Sequence, residues 1–308
     1  MKKIIKYIKY PSSIIVYLMN KGYFKWLNDK TYLKIKYRII MNTKLNLENP
    51  QTFNEKLQWL KLYDRNPEYI KMVDKYEAKK YVANIIGEKY IIPTLGVWDK
   101  FEDIEFEKLP KQFVLKPTHT SGNVFICKDK EKINYKQLKK MINKWLKRNY
   151  YLIHREWPYK NVKPRIIAEE YVEDETGALK DYKVYSFNGK CDYVMVCVDR
   201  EKNETKFIYY DKNWNIKKEF SKDGIKYGDN IKIERPKNLG KMFEFAEVLS
   251  KNIPFVRVDF YESNGKLYFG ELTFYPSAGF DNTRTKECQE YLDKKLKIGE
   301  VKWRALVF

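Results

Sequence analysis

The stretch FVRVDFYESNGKLYFGELTFYP, residues 255–276, sets Arg257, Asp259 and Glu271 among residues that otherwise read as a buried β-hairpin. In an antiparallel pair, residues directly opposite one another share a face. Val256, Val258, Phe260, Leu272 and Phe274 all carry even numbers, so one apolar face requires opposite residues whose numbers sum to an even value. A two-residue turn at Asn264-Gly265 would give the odd sum 529. The pattern therefore predicts an odd-length loop, three residues with Gly in the left-handed position. Arg257, Asp259, Glu271 and Thr273 then share the other face. Two adjacent carboxylates repel, and a common cation stabilises both in ionised form. The competing reading is a solvent-facing polar surface with an Arg–Glu pair worth ~0–1 kcal/mol. The chain has only two histidines, His119 and His154, which excludes a His-rich zinc site. Any divalent metal must sit on carboxylates, which favours Mg²⁺ or Mn²⁺.

Three stretches upstream carry chemistry of another kind. In MVDKYEAKKYV, Lys75 stands near a helix start, where a reaching cation can meet phosphate. In QFVLKPTHTSGNVFI, Lys116 leaves an apolar strand at Pro117 and enters a polar loop containing His119, Ser121 and Gly122. Backbone N–H groups of such a loop can close over phosphates. In a lysine-rich chain, solvated lysines are the alternative for both. PRIIAEEYVED sends an apolar strand into Glu169, Glu170, Tyr171 and Val172. Exposed backbone there can bond a flat base and the acids can take hydroxyls, or the segment is a solvated strand edge.

The elements that must position these groups read as follows. Asn and Thr caps, periodic apolar residues and a stop at Gly87 predict helices between residues 50 and 87. Leu138, Ile142, Trp145 and Leu146 share one face of a helix over 134–150. From Ile166 strands dominate, with turns at Asn188-Gly189 and Asn264-Gly265, and a helix intervenes at 239–250. Helices first, then mixed elements, then antiparallel strands predict an α+β protein of two or three lobes. A chain of 308 residues that is 44% hydrophobic and 16% aromatic is long and apolar enough for that.

The formal charge is +20, which admits nucleic acid, an anionic membrane or phosphorylated substrates as partners. Eleven Lys or Arg against the single acid Asp29 fall within residues 1–45, so half of the excess lies there. The remainder is moderately basic, matches the residue usage of an AT-rich genome, and shows no nucleic-acid-binding motif. Four cysteines without metal spacing or a disulfide framework favour a reducing cytoplasm. No apolar run reaches the ~20 residues that span a bilayer. Residues 1–45 read as an amphipathic basic leader, resting on an anionic membrane at its inner face or packed on the body.

Lys75, Lys116, the Glu169–Val172 stretch and Arg257/Asp259/Glu271, in that order, resemble the ATP-grasp superfamily. NPQTFNEKLQWLKLYDRNP, KPTHTSGN, AEEYVED and DYKVYSFNG look most like its teichuronopeptide-synthesis (TupA-like) branch, over residues 45–285. The resemblance implies an ATP-grasp fold in which two α+β lobes hold ATP: a leader over 1–45, a helical region over 46–110, a small lobe over 111–172 and a large lobe over 173–308. It implies that Lys75 and Lys116 contact ATP phosphates under the THTSGN loop with His119, Ser121 and Gly122. Glu169, Glu170, Tyr171 and Val172 would hold adenine, while Asp181 and Lys183 would contact ribose and phosphate. Arg257 would stabilise the transferring phosphoryl group, and Asp259, Glu271 and Thr273 would ligate Mg²⁺ or Mn²⁺. The family's usual E-x-N reads Glu-Leu-Thr here, so Thr273 lacks the amide carbonyl. The activity implied is ATP-dependent joining of a carboxylate to an amine through an acyl phosphate, in bacterial surface-polysaccharide synthesis. Alternatives are a phosphotransferase or glycosyltransferase acting on a surface-glycan precursor, or a non-catalytic basic binding protein.

Overall fold

The computed structural model describes residues 12–173, 179–198 and 205–298. Of the basic leader expected over 1–45, residues 1–11 lie outside the described residues, as do 299–308 of the last segment. The chain forms two compact units: Met1–Asn46 with Lys61–Val172, and Leu47–Leu60 with Glu173–Phe308. Among the described residues no helix is long and apolar enough to cross a membrane.

The first unit is built on strands β1 (Thr94–Trp98), β2 (Phe113–Pro117), β3 (Phe125–Cys127) and β4 (Ile166–Glu170). They form one antiparallel sheet in the order β1-β4-β2-β3. Phe113 and Leu115 alternate inward on β2 and meet Ile166 and Ala168 of β4. Leu138, Ile142 and Trp145 of the helix Tyr135–Leu146 close over them, with Leu146 partly buried beside them. Asn134 caps that helix by accepting from the Gln137 N–H. Period two on the strands and period 3.6 on the helix thus meet in one core.

The second unit carries β5 (Lys180–Phe187), β6 (Lys190–Val198), β7 (Lys206–Asp211), β8 (Phe255–Ser263) and β9 (Lys266–Thr273). The antiparallel order is β7-β6-β5-β8-β9. The helix Leu239–Leu249, with Met242, Phe243, Ala246 and Leu249 buried, packs against β5, β6 and β8. The chain reaches this unit early, through Leu47–Leu60. Phe53, fully buried, meets Phe255 edge-on at 5.0 Å and Phe187 at 6.2 Å between ring centres. The Phe53 N–H donates to Asp293 Oδ1 at 2.5 Å, and Gln58 Nε2 donates to the Gly279 carbonyl at 2.7 Å. Gly279 has φ +65°, and a Cβ there would lie 2.4 Å from Gln58 Nε2, so only glycine suits that contact.

The β8–β9 hairpin corrects the expected three-residue loop. Its turn has two residues, Asn264 (φ 50°) and Gly265 (φ 76°), whose paired positive φ values match strand twist. Phe260, Tyr261, Glu262 and Ser263 pair with Phe269, Tyr268, Leu267 and Lys266 on the odd sum 529. A bulge at Gly270 then moves the register, so that Asp259 faces Glu271 and Arg257 faces Thr273 on the even sum. A Cβ at Gly270 would sit 3.0 Å from the Asp259 carbonyl oxygen and from the Tyr261 ring. The even sum required by the apolar face is met inside the strand rather than at its turn.

Candidate functional site

In the first unit a buried carboxylate is bracketed by two lysines. Val114 of β2 pairs with Glu169 of β4, and Lys116 pairs with Ile167, so Lys116 and Glu169 are diagonal neighbours on the face away from the core. Lys116 Nζ reaches Glu169 Oε2 at 2.5 Å, and Lys79 Nζ reaches Oε1 at 2.9 Å. Burial alone raises the Glu169 carboxyl pKa, but Lys116 and Lys79 outweigh it and hold the group down at about 2. Glu169 is therefore a fixed negative charge that aligns two cations.

Lys75 stands just before the helix Glu77–Ile86 and donates through Nζ to the Thr120 carbonyl at 2.5 Å. Its own N–H bonds the Thr118 carbonyl at 3.1 Å, tying the helix start to the Thr118–Asn123 loop. Asp74 fixes that start: Oδ1 accepts from the Tyr76 N–H at 2.9 Å and Oδ2 from Arg165 at 2.8 Å. Ser121 is half-buried, and Gly122 has φ +77° with no atom within 4 Å of a Cβ position. His119 is buried beside them: Nε2 lies 3.2 Å from the Trp145 carbonyl and 3.1 Å from that of Arg148, at the end of the helix Tyr135–Leu146. Burial lowers its pKa, with the Lys75 charge adding to the effect, and the two carbonyl contacts fasten the loop to the helix end. Glu170 is exposed at the end of β4, and Tyr171 and Val172 follow half-buried. Lys79 was missed from the sequence. It lies one helical turn after Lys75, a spacing that puts both on one side of a helix.

In the second unit the register lays charged residues side by side across the sheet. Lys183 pairs with Asp259 and Asp259 with Glu271, while Tyr185 pairs with Arg257 and Arg257 with Thr273. Arg257 grips Asp259 with a two-pronged contact, Nε to Oδ1 at 2.6 Å and Nη2 to Oδ2 at 2.7 Å. Lys183 Nζ bonds Asp259 Oδ2 and lies 2.6 Å from Asp181 Oδ2. Burial alone would raise the Asp259 pKa, yet Arg257 and Lys183 hold it below the ordinary carboxylate value. Burial likewise works against charge on Lys183, and Asp259 more than restores it. Thr273 Oγ1 accepts from Arg257 Nη2 at 3.1 Å and donates to Glu271 Oε1 at 3.2 Å. Glu271, 37% exposed, is 3.6 Å from Arg257, whereas Asp259 is 1% exposed.

These side chains fit a small hard cation in donor type, with two carboxylates and a hydroxyl on one sheet face. Among the described residues no group of three or more His, Cys, Asp or Glu is gathered for a metal. Mg²⁺ needs fewer, since it keeps waters and uses one or two carboxylates alongside phosphate oxygens. Glu271 is the outward donor. Asp259 is already shared by Arg257 and Lys183.

The family described as TupA-like ATPgrasp matches residues 55–297. No curated protein matches the chain. Among solved structures, D-alanine–D-alanine ligase from Bacillus anthracis complexed with ATP is 18% identical, covering 66% of this chain and 54% of its own, with TM-score 0.39. This chain thus spans about half the length of that ligase. The Helicobacter pylori D-alanine–D-alanine ligase is 15% identical, covering 79% of this chain and 69% of its own, with TM-score 0.44. The ATP-grasp ligase PsnB complexed with minimal precursor, Mg and ADP is 13% identical, covering 89% and 71%, with TM-score 0.40. All three are distant. The family match takes in most of the chain, including both charged clusters and the two antiparallel sheets that carry them, and on that ground the chain belongs to the TupA-like ATP-grasp family, with its α+β fold.

Proposed function

We propose that this protein is an ATP- and Mg²⁺-dependent ligase that activates a carboxylate as an acyl phosphate and joins it to an amine, in the assembly of a bacterial surface polysaccharide. The observation that carries the reading is the row Lys183–Asp259–Glu271 beside Arg257, where two cations and two carboxylates lie side by side on one sheet face. A substrate carboxylate oxygen attacks the γ-phosphorus of ATP as the bond to the β–γ bridging oxygen breaks and ADP departs. The amine nitrogen then attacks the acyl carbon, the bond from that carbon to the phosphate oxygen breaks, inorganic phosphate leaves, and the surplus proton of the nitrogen passes to solvent. Such steps depend on positioning and charge neutralisation rather than on a side-chain nucleophile.

In this reading Lys75, Lys79, Lys116 and Lys183 offer positive charge to the phosphates, and Glu169 keeps two of them aligned. Glu170, Tyr171 and Val172 meet the adenine edge, Asp181 the ribose, and Ser121 and Gly122 lie over the phosphates. Arg257 neutralises charge gathering on the transferred phosphoryl group. Glu271 and Asp259, with Thr273, would hold Mg²⁺, which when bound offsets the charge of the phosphate oxygens. The four cysteines are buried, and burial pushes the Cys191 and Cys288 thiols up to about 12, which suits a mechanism without a thiolate.

The test is a thermal shift with ATP, with and without Mg²⁺, on wild type and Glu271→Gln, followed by hydroxylamine trapping with candidate acidic sugars and amino acids. Saturation at ~100 times the dissociation constant stabilises by ~2.7 kcal/mol. A Mg²⁺-dependent shift lost in the variant supports the nucleotide site, and hydroxamate supports the acyl phosphate. Absence of any shift at millimolar ATP and Mg²⁺ would refute the reading. ADP release without hydroxamate would favour phosphoryl transfer to a hydroxyl.

A further inference from the structure

Residues 12–38 of the first unit present an unusual surface. On the helix Ser12–Asn20, Ile14, Ile15 and Tyr17 are each at least 40% exposed, and on the turn that follows Tyr23 is 68% and Trp26 75% exposed. An exposed Trp beside an exposed Tyr loses the burial these rings ordinarily gain in a folded domain. The turn carrying them is firmly held. Tyr23 N–H bonds the Leu18 carbonyl at 3.2 Å, and Leu27 N–H the Phe24 carbonyl at 3.2 Å. Arg155, buried and 4.3 Å over the Tyr32 ring, donates through Nη2 to the carbonyls of Phe24 at 3.0 Å and Leu27 at 3.3 Å. Tyr23 and Trp26 therefore stand outward on a fixed scaffold.

The charge around them has one sign. Lys21, Lys25, Lys30, Lys34 and Arg38 are exposed. The only acid of this stretch, Asp29, is turned inward, where Tyr151 donates to it at 2.6 Å and Arg155 lies 3.7 Å away. Exposed aliphatic and aromatic side chains interspersed along the chain with exposed lysines, and the acid of this stretch paired inward, match the boundary of an anionic bilayer, where Trp and Tyr sit at headgroup depth. A protein interface would instead deplete lysine from its centre.

We propose that the face formed by Ile14, Ile15, Tyr17, Tyr23 and Trp26 with Lys21 and Lys25 docks the protein on an anionic phospholipid bilayer. None of these residues belongs to the nucleotide reading, so the two stand or fall separately. The purpose would be to bring the ligase to a lipid-anchored glycan acceptor, and that clause alone rests on the proposed function.

The test is co-sedimentation of the full chain, without nucleotide, with vesicles of phosphatidylcholine alone and of phosphatidylcholine with phosphatidylglycerol. Partition onto the anionic vesicles only, falling with added salt, is expected. Tyr23→Ser/Trp26→Ser should lower it about tenfold or more. Lys21→Gln and Lys25→Gln should each lower it about fivefold, the worth of one lysine near such a surface. Thermal midpoints and any ATP-induced shift should stay at wild-type values in all variants. Equal partition onto both vesicle types, no partition at all, or partition unchanged in both sets of variants would overturn the proposal. A concentration-dependent dimer abolished by Tyr23→Ser/Trp26→Ser would overturn it too, assigning the face to self-association.

Discussion

Replacing Glu169 by Gln keeps size and a hydrogen-bond acceptor while removing one charge. Its carboxyl sits at about 2 in the fold against an ordinary 4.5, and that difference is worth about 3 kcal/mol above pH 4.5. The figure agrees with the ~3–5 kcal/mol lost when one partner of a buried ion pair is removed. The sign follows from a folded value below the unfolded one: the contribution is complete above 4.5 and disappears as pH falls through 2. About half should remain near pH 3. Hydrogen exchange of peptides covering β2 and β4 reads this in the first unit alone. Glu169→Gln should lower protection by about 3 kcal/mol at pH 7, and the gap to wild type should narrow on acidification. Lys116, the closer partner and the larger influence on that carboxyl, and the more buried Lys79 should both couple to Glu169 in double-mutant cycles with Met replacements. A deficit below about 1 kcal/mol at pH 7, or one that does not change between pH 7 and 3, would refute the reasoning.

Arg257→Lys loses the two-pronged grip on Asp259 and should cut ATP turnover at least ~100-fold with the fold retained by circular dichroism. Deleting Gly270 leaves Asp259 opposite Glu271 and Phe260 opposite Phe269 but removes the bulge that aims the site; nucleotide affinity by calorimetry should fall more than the urea midpoint does. Lys36 and Lys61 are buried in the first unit, and burial lowers both to about 7 from 10.5, with Lys61 and Arg155 adding to the effect on Lys36 and Glu156 opposing it at both. At these two lysines the unfolded chain binds more protons above pH 7, so stability should rise by a few kcal/mol between pH 7 and 8.5, below the range where the thiols and phenols that burial raises act with the opposite sign; a flat or falling urea midpoint between pH 7 and 8.5 would contradict it.

The face shared by Arg257, Asp259, Glu271 and Thr273 was legible because alternation along a strand is a local property of sequence. The loop length was not, because a bulge and a longer turn have the same effect on parity. Gly270, a glycine inside a strand pattern, was the available signal. Gly87, expected as a helix stop, ends the helix Glu77–Ile86 at φ 105°. Lys79 was hidden among many lysines, and its meeting with Glu169 depends on β4 inserting between β1 and β2, a non-local pairing that no short window reveals. The outward turn of Glu271 and the inward turn of His119 likewise depend on contacts far along the chain.

The early excursion of Leu47–Leu60 into the second unit has a consequence for biosynthesis. Phe53 leaves the ribosome long before Phe187 and Phe255, the rings it packs against, have been translated. More than a hundred residues of the other unit intervene, an interval of about 6–20 s at ordinary elongation rates. During that time Phe53 and Leu57, both fully buried at the end, have no final partner in that unit and must remain shielded by other means. The first unit has all its residues once Val172 is made, whereas Leu47–Leu60 must wait for the second. A fragment beginning at Glu173 would lack the aromatic plug of its own core, and supplying residues 47–60 as a separate peptide should complete it.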